Sequence, residues 1–216
     1  MPVNMVANVL GKSWLIKKAW TNDDGSVNIE GWVSTNDQDI EKDILEPEAF
    51  AGSLEGYFAR GAPISSEHNT DDLPVGYMIK AALVRDGHIF QEASNSRYTP
   101  TDFKYFDGTG TGWYGLGVID EERSSVAVQK GKLSSFSWIG MPKAWEPLPG
   151  GGRHFNQQGA IDPLLEATVT AYPINPTAVM RIAKAHGYPV AAPRPRLVLT
   201  REGVERLLRN EPHGNN

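Results

Sequence analysis

The chain has no cysteine among its 216 residues. Disulfide staples, thiolate nucleophiles and cysteine-held zinc are excluded, and folding inside a cell fits that composition. Excess positive charge is also missing. Lys and Arg number 21 against 26 Asp and Glu, and the net charge of -5 with a pI of about 5.6 argues against broad nucleic-acid binding. No apolar run is long enough to span a bilayer, so no membrane association is expected. Met1 to Ile16 lacks the long apolar centre of a signal peptide. A G-x-S-x-G elbow and a glycine-rich phosphate loop are absent. Glu67-His68 lacks the spacing of a helical zinc site, and Asp71-Asp72 is too short for a calcium loop. Neither a metal nor a cofactor is expected.

What is present is glycine, proline and alternating apolar segments. Gly 22 and Pro 15 imply many turns in a β-rich body. Hydrophobic residues at 40% and charged residues at 22% allow one sizeable core. Residues 1–11 carry no periodicity and read as a loose arm. Ser13 to Trp20 and Ser26 to Ser34 read as strands joined by the turn Asn22-Asp23-Asp24-Gly25. In the second strand Val27, Ile29, Gly31 and Val33 face one way, and Asn28, Glu30, Trp32 and Ser34 the other. Pro47 opens a helix whose stripe is Phe50, Leu54 and Phe58, with Gly61 at its far end.

Ala62 to Glu67 reads as a short strand ending at His68. Val75 to Val84 and His88 to Glu92 are strands around the Asp86-Gly87 turn. Ala93 to Gly112 reads as a long loop, and Trp113 to Ile119 as a strand. Asp120 caps a helix that ends at Gly131. A strand then carries Leu133-Ser134-Ser135-Phe136-Ser137-Trp138-Ile139-Gly140, and Leu164 to Tyr172 alternates as another. Asn175-Pro176 opens a helix that Gly187 ends. Residues 1–187 form one domain. Residues 188–216 are a proline-rich linker and an amphipathic tail. With no βαβ rhythm, the fold class is α+β with a mainly antiparallel sheet or barrel.

Three residues carry candidate chemistry. His68 leaves an apolar strand for a polar loop, where an imidazole takes a proton near neutral pH. Ser137 is a small hydroxyl on a strand beside the core, and it needs a base to become nucleophilic. Glu166 is an acid in an otherwise apolar and threonine-bearing strand, and it either faces solvent or orients a partner. Ser135 is a second candidate nucleophile. His88, His154, His186 and His213 read as structural.

Four blocks in order resemble the prohead (capsid maturation) serine proteases of tailed bacteriophages. They are Gly31-Trp32-Val33-Ser34 with Asp43-Ile44-Leu45-Glu46-Pro47-Glu48-Ala49-Phe50; Ala62 to His68 with Leu73-Pro74-Val75-Gly76; Gly131 to Gly140; and Leu165 to Val169 with Pro173 to Ala178. Glycine stands three residues after Ser137, where the family has it two residues after the nucleophile.

The resemblance implies a fold like the herpesvirus assemblin proteases, a closed β-barrel wrapped by helices. It implies a triad with His68 as general base, Ser137 as nucleophile and Glu166 as orienting acid. Backbone N–H groups near Tyr172 to Asn175 are placed for an oxyanion site. The implied partners are the major capsid protein precursor, the scaffold and the enzyme's own termini, inside the procapsid in the host cytoplasm. Two other readings remain open. One is a non-cleaving capsid or scaffold component with the same fold, and the other is a β-barrel binding module with its pocket away from His68.

Overall fold

The computed structural model describes residues 21–69, 72–95, 103, 106–173 and 180–182. Strands hold 45% of these residues and helices 13%, so the sheet carries the core. In chain order the first elements are β1 (Val27–Thr35), β2 (Ile44–Leu45), a 3-10 turn (Pro47–Phe50), α1 (Ser53–Ala59), β3 (Pro63–Ser66), β4 (Gly76–Arg85) and β5 (His88–Ser94). There follow β6 (Gly112–Ile119), α2 (Glu122–Gln129), β7 (Ser135–Pro142), β8 (Glu146–Pro147), β9 (Arg153–Phe155), β10 (Ile161–Thr170) and β11 (Met180–Ile182).

The main sheet runs β11-β1-β6-β4-β3-β10-β7, with β5 added to β4. All its pairs are antiparallel except β3 with β10. It curls as a half-barrel that brings β7 back alongside β1. A small second sheet, β2-β9-β8, stands beside it. The fold is mixed, mostly strand, with few helices.

The alternation in β1 holds on its apolar side, where Val27, Ile29 and Val33 are fully buried in the core. The polar side is buried as well, because Asn28, Glu30 and Ser34 are covered. The long segment after β5 explains part of this. Phe103 and Phe106 pack on Tyr114, and Phe106 also meets Trp32 edge-on at 6.0 Å. Its aromatics therefore cover the second face of the sheet, which a solvated loop would not do.

Several expected elements shift. The single helix from Pro47 is two pieces, because Gly52 takes φ 86 between the 3-10 turn and α1. Phe50, Leu54 and Phe58 remain buried across the break. The cap of α2 is Glu121 rather than Asp120, and its carboxylate accepts from the N–H groups of Arg123 and Ser124. In β10 a register shift lies between Leu164 and Glu166, so Leu164 enters the core and Leu165 is half-buried.

The expected helix from Asn175 to Gly187 is corrected at Met180–Ile182. These residues are strand, paired antiparallel with Gly31, Glu30 and Ile29, where an open sheet edge takes up their backbone groups. The rest of that segment, the 1–11 arm, the strand Ser13 to Trp20 and the 188–216 tail lie outside the described residues.

One glycine fixes how closely three strands approach. Gly76 pairs with Ile119 on β6 and Ile64 on β3. A Cβ there would stand 2.0 Å from the Val118 carbonyl oxygen and 2.9 Å from the Ile119 Cα. Both are backbone atoms, which yield little. Gly76→Ala is expected to cost about 3 kcal/mol in urea unfolding, at the upper end of overpacking effects. A loss under about 0.5 kcal/mol would show that the strands separate freely at this point.

Candidate active site

The strands β3, β10 and β7 lie side by side, and their register decides which side chains meet. Thr168 on β10 stands opposite Ser65 on β3 and opposite Ser137 on β7. Directly paired residues project to the same face, so these three hydroxyl side chains form one row. The next row, Ile64, Ala167 and Trp138, points to the other face and packs in or against the core.

His68 follows β3 through an unusual backbone. Glu67 has φ 53 and His68 φ 58, two consecutive left-handed residues that are not glycine. Such conformations persist where neighbouring groups hold them. Here β10 does so. The Glu67 N–H donates to the Val169 carbonyl at 2.9 Å. The Glu67 carboxylate accepts from the Thr170 hydroxyl at 2.7 Å and from the Ala171 N–H at 2.9 Å. The His68 N–H donates to Thr168 Oγ1 at 3.1 Å.

The clamp fixes the His68 backbone beside a cleft of about 290 Å³. Both His68 and Ser137 line it. His68 Nε2 is buried and has no hydrogen-bond partner. Burial holds the ring below its ordinary pKa of 6.5, and the nearby Glu67 charge opposes that shift. Ser137 is 5% exposed. Apolar walls come from Val33, Leu45, Phe155 and Ile161. At one end stand Asp39, Glu41 and Asp43 with Arg153. Asp43 accepts from the Arg153 backbone N–H at 2.7 Å and from its guanidinium, tying β9 to the loop before β2. Burial raises the Asp39 carboxyl above its ordinary range, with Asp43 and Glu41 adding repulsion against its two backbone hydrogen bonds.

Glu166 is buried, as a functional acid would be, but its bond goes elsewhere. Ser65 donates to Glu166 Oε1 at 2.7 Å, and Ser65 Oγ also lies 2.9 Å from Thr168 Oγ1. Glu166 makes no hydrogen bond to His68. Burial pushes its carboxyl up to about 7, with the Ser65 bond pulling the other way. The structure thus lines one cleft with both His68 and Ser137, with no hydrogen bond between them, and sets Glu166 behind a serine and a threonine.

Ser135 pairs with Thr170 at the start of β7, two residues before Ser137, and the lining of the cleft begins at Ser137. Of the N–H groups expected for an oxyanion site, that of Tyr172 is in use, and so is that of neighbouring Ala171. Ala171 donates to Glu67, and Tyr172 donates to Thr170 Oγ1 at 3.1 Å. Ile174 and Asn175 lie outside the described residues. His154 approaches Glu46 at 3.4 Å, and His88 begins an exposed strand, so both fit the structural reading. Among the described residues no group of three His, Asp or Glu is placed to hold a metal, and no helix is long and apolar enough to cross a membrane.

Two residues of this site escaped sequence reasoning, Ser65 and Thr168. The alternation of β10 puts Thr168 on the Glu166 face, and that was the available signal. What it does not give is the pairing partner across the sheet. No protein-family model matches the chain, and no characterised protein in the curated comparison matches it.

Proposed function

We propose that the chain is a serine endopeptidase of phage procapsid maturation. Its substrates are scaffold or delta-domain segments of the major capsid protein precursor and its own termini. It acts inside the assembling procapsid in the host cytoplasm. The observation that carries this reading is one cleft lined by both Ser137 and His68, with His68 Nε2 buried and unpaired. A buried imidazole nitrogen without a partner is costly unless something else uses it.

In the reaction, Ser137 Oγ attacks a peptide carbonyl carbon while its proton passes to His68 Nε2. His68 returns that proton to the leaving amine as the C–N bond breaks. Water then attacks the acyl carbon and gives a proton to His68, which returns it to Ser137 Oγ as the ester C–O bond breaks and the new carboxyl terminus leaves. Glu166 is the buried acid of the site, and it meets the pair through Ser65 and Thr168 instead of through the His68 ring. A closed barrel follows if the half-barrel is completed along the seam where β7 approaches β1.

The second reading is a non-cleaving capsid or scaffold component with the same fold. It is favoured by the Glu166 carboxyl bonding Ser65 instead of the His68 ring. Coexpression with a capsid precursor separates the two, since only the protease reading yields cleavage that depends on Ser137. The state of the base is a separate expectation. As a desolvated base, His68 titrates below 6.5 in an NMR titration of its imidazole. A value above 6.5 would place the ring in solvent and remove it as the desolvated base.

A further inference from the structure

We propose that Ser65 and Thr168 are positioning residues that carry the influence of Glu166 to Ser137 and His68 through a chain of hydroxyls. This rests on the serine-protease reading of the site and deepens it. The geometry is a line of short contacts. Glu166 Oε1 and Ser65 Oγ are 2.7 Å apart, Ser65 Oγ and Thr168 Oγ1 2.9 Å, and Thr168 Oγ1 accepts from the His68 backbone N–H at 3.1 Å. Thr168 also stands opposite Ser137 in the strand register. Ser65, Thr168 and Glu166 are all buried, so water does not compete for these bonds.

Each hydroxyl has one proton, and this sets a direction. With Glu166 ionised, Ser65 donates to the carboxylate and Thr168 donates to Ser65. The chain then points away from the cleft. With Glu166 neutral, its own proton goes to Ser65, and Ser65 donates to Thr168. The Thr168 proton is displaced and turns toward its register partner Ser137. A hydrogen bond donated to Ser137 Oγ occupies a lone pair the serine needs for attack. Loss of the Glu166 proton therefore raises the reactivity of Ser137, with no contact between the carboxyl and the imidazole.

The groups that face Glu166 leave this titration to the chain itself. On β3 the neighbour is Ser65, and on β7 the register partner is Ile139. From α1 come Tyr57, which feels the Glu166 charge, and Arg60, which bonds the Leu164 carbonyl. Burial pushes the Tyr57 hydroxyl far above its ordinary range, so it stays neutral and donates to the Pro63 carbonyl. Glu67 and His68 lie beyond Thr168, and the Glu67 carboxylate is held by Thr170 and Ala171.

The test uses the whole protein and a fluorophosphonate that labels activated serines, with the rate read by intact mass as pH is varied. Wild type is expected to show two rising limbs, one from His68 below 6.5 and one from Glu166 near 7. The upper limb is worth about tenfold in rate, the scale of one hydrogen bond. Glu166→Gln, Ser65→Ala and Thr168→Val each lose it, and Thr168→Ser keeps it. The double variant Glu166→Gln with Ser65→Ala is no slower than the worse single, because both cut the same chain. An upper limb that survives in Ser65→Ala or Thr168→Val overturns the relay, as does a wild type without one.

A wild type that never labels overturns the protease reading instead. The relay is then judged by NMR of the His68 imidazole. An inflection from Glu166 that disappears in Ser65→Ala and Thr168→Val but not in Thr168→Ser supports it. The same inflection persisting in Ser65→Ala and Thr168→Val, or absent from wild type, overturns it.

Discussion

Ser137→Ala is expected to abolish cleavage of a coexpressed capsid precursor, with a rate loss on the order of 10³-fold or more. The size follows from the chemistry. Without Oγ no acyl-enzyme forms, and what remains is whatever cleavage the cleft promotes by binding alone. The substitution removes one oxygen from a small side chain that is 5% exposed, at the end of the row Ser65, Thr168, Ser137. Among the described residues no hydrogen bond runs through Ser137 Oγ, so folding should survive. An unchanged melting temperature beside lost cleavage is the expected pair of results. His68→Ala should lose cleavage on a similar scale, because the two groups act as a unit. Equal cleavage by wild type and Ser137→Ala would remove Ser137 as nucleophile and leave the structural-component reading standing.

The geometry around Ser137 also shows what a sequence can carry and where it stops. His68 was legible because a strand running into a polar loop marks a held yet reachable side chain, and β3 ends at Ser66 as that pattern requires. Ser137 was legible as a polar position in an apolar strand. Glu166 was legible as an acid among apolar and threonine residues, but not its partner. The partner is Ser65, 101 positions away, and the pairing of β3 with β10 sets it. Register is a property of two strands, and one strand's alternation leaves it open. The same limit explains β11. Asn175-Pro176 is a sound helix start by local rules, yet Met180–Ile182 pair with β1 because the sheet edge there offers unfilled backbone groups. Local signals succeeded in the turns, where Asp86 and Gly87 at φ 50 and 79 join β4 to β5 as their residue types require. They missed the break in the Pro47 helix by reading its apolar stripe before Gly52.

Phe50→Ala is expected to be the most damaging core substitution near the site, at about 3–5 kcal/mol of folding stability. Phe50 is fully buried, and it stands between two tryptophans from different strands. Trp113 on β6 lies 5.4 Å away at 53°, and Trp138 on β7 lies 5.1 Å away in an edge-on contact at 86°. Tyr57 adds a further edge-on contact to Trp113 at 5.9 Å. Truncation deletes the ring that spans the curl of the sheet, and the large rigid neighbours on either side cannot collapse into the space. Trp138 is the residue after Ser137 and lines the same cleft, so the cavity opens directly behind β7. Urea unfolding should show a lower midpoint with an unchanged slope. Fluorophosphonate labelling of Ser137 should slow even under conditions where the protein stays folded. Phe50→Leu fills most of the volume and is expected to cost about 1 kcal/mol with labelling largely retained. If Phe50→Ala costs under about 1 kcal/mol, the aromatic bridge does not set the position of β7, and the cleft owes its shape to the β10 pairing alone.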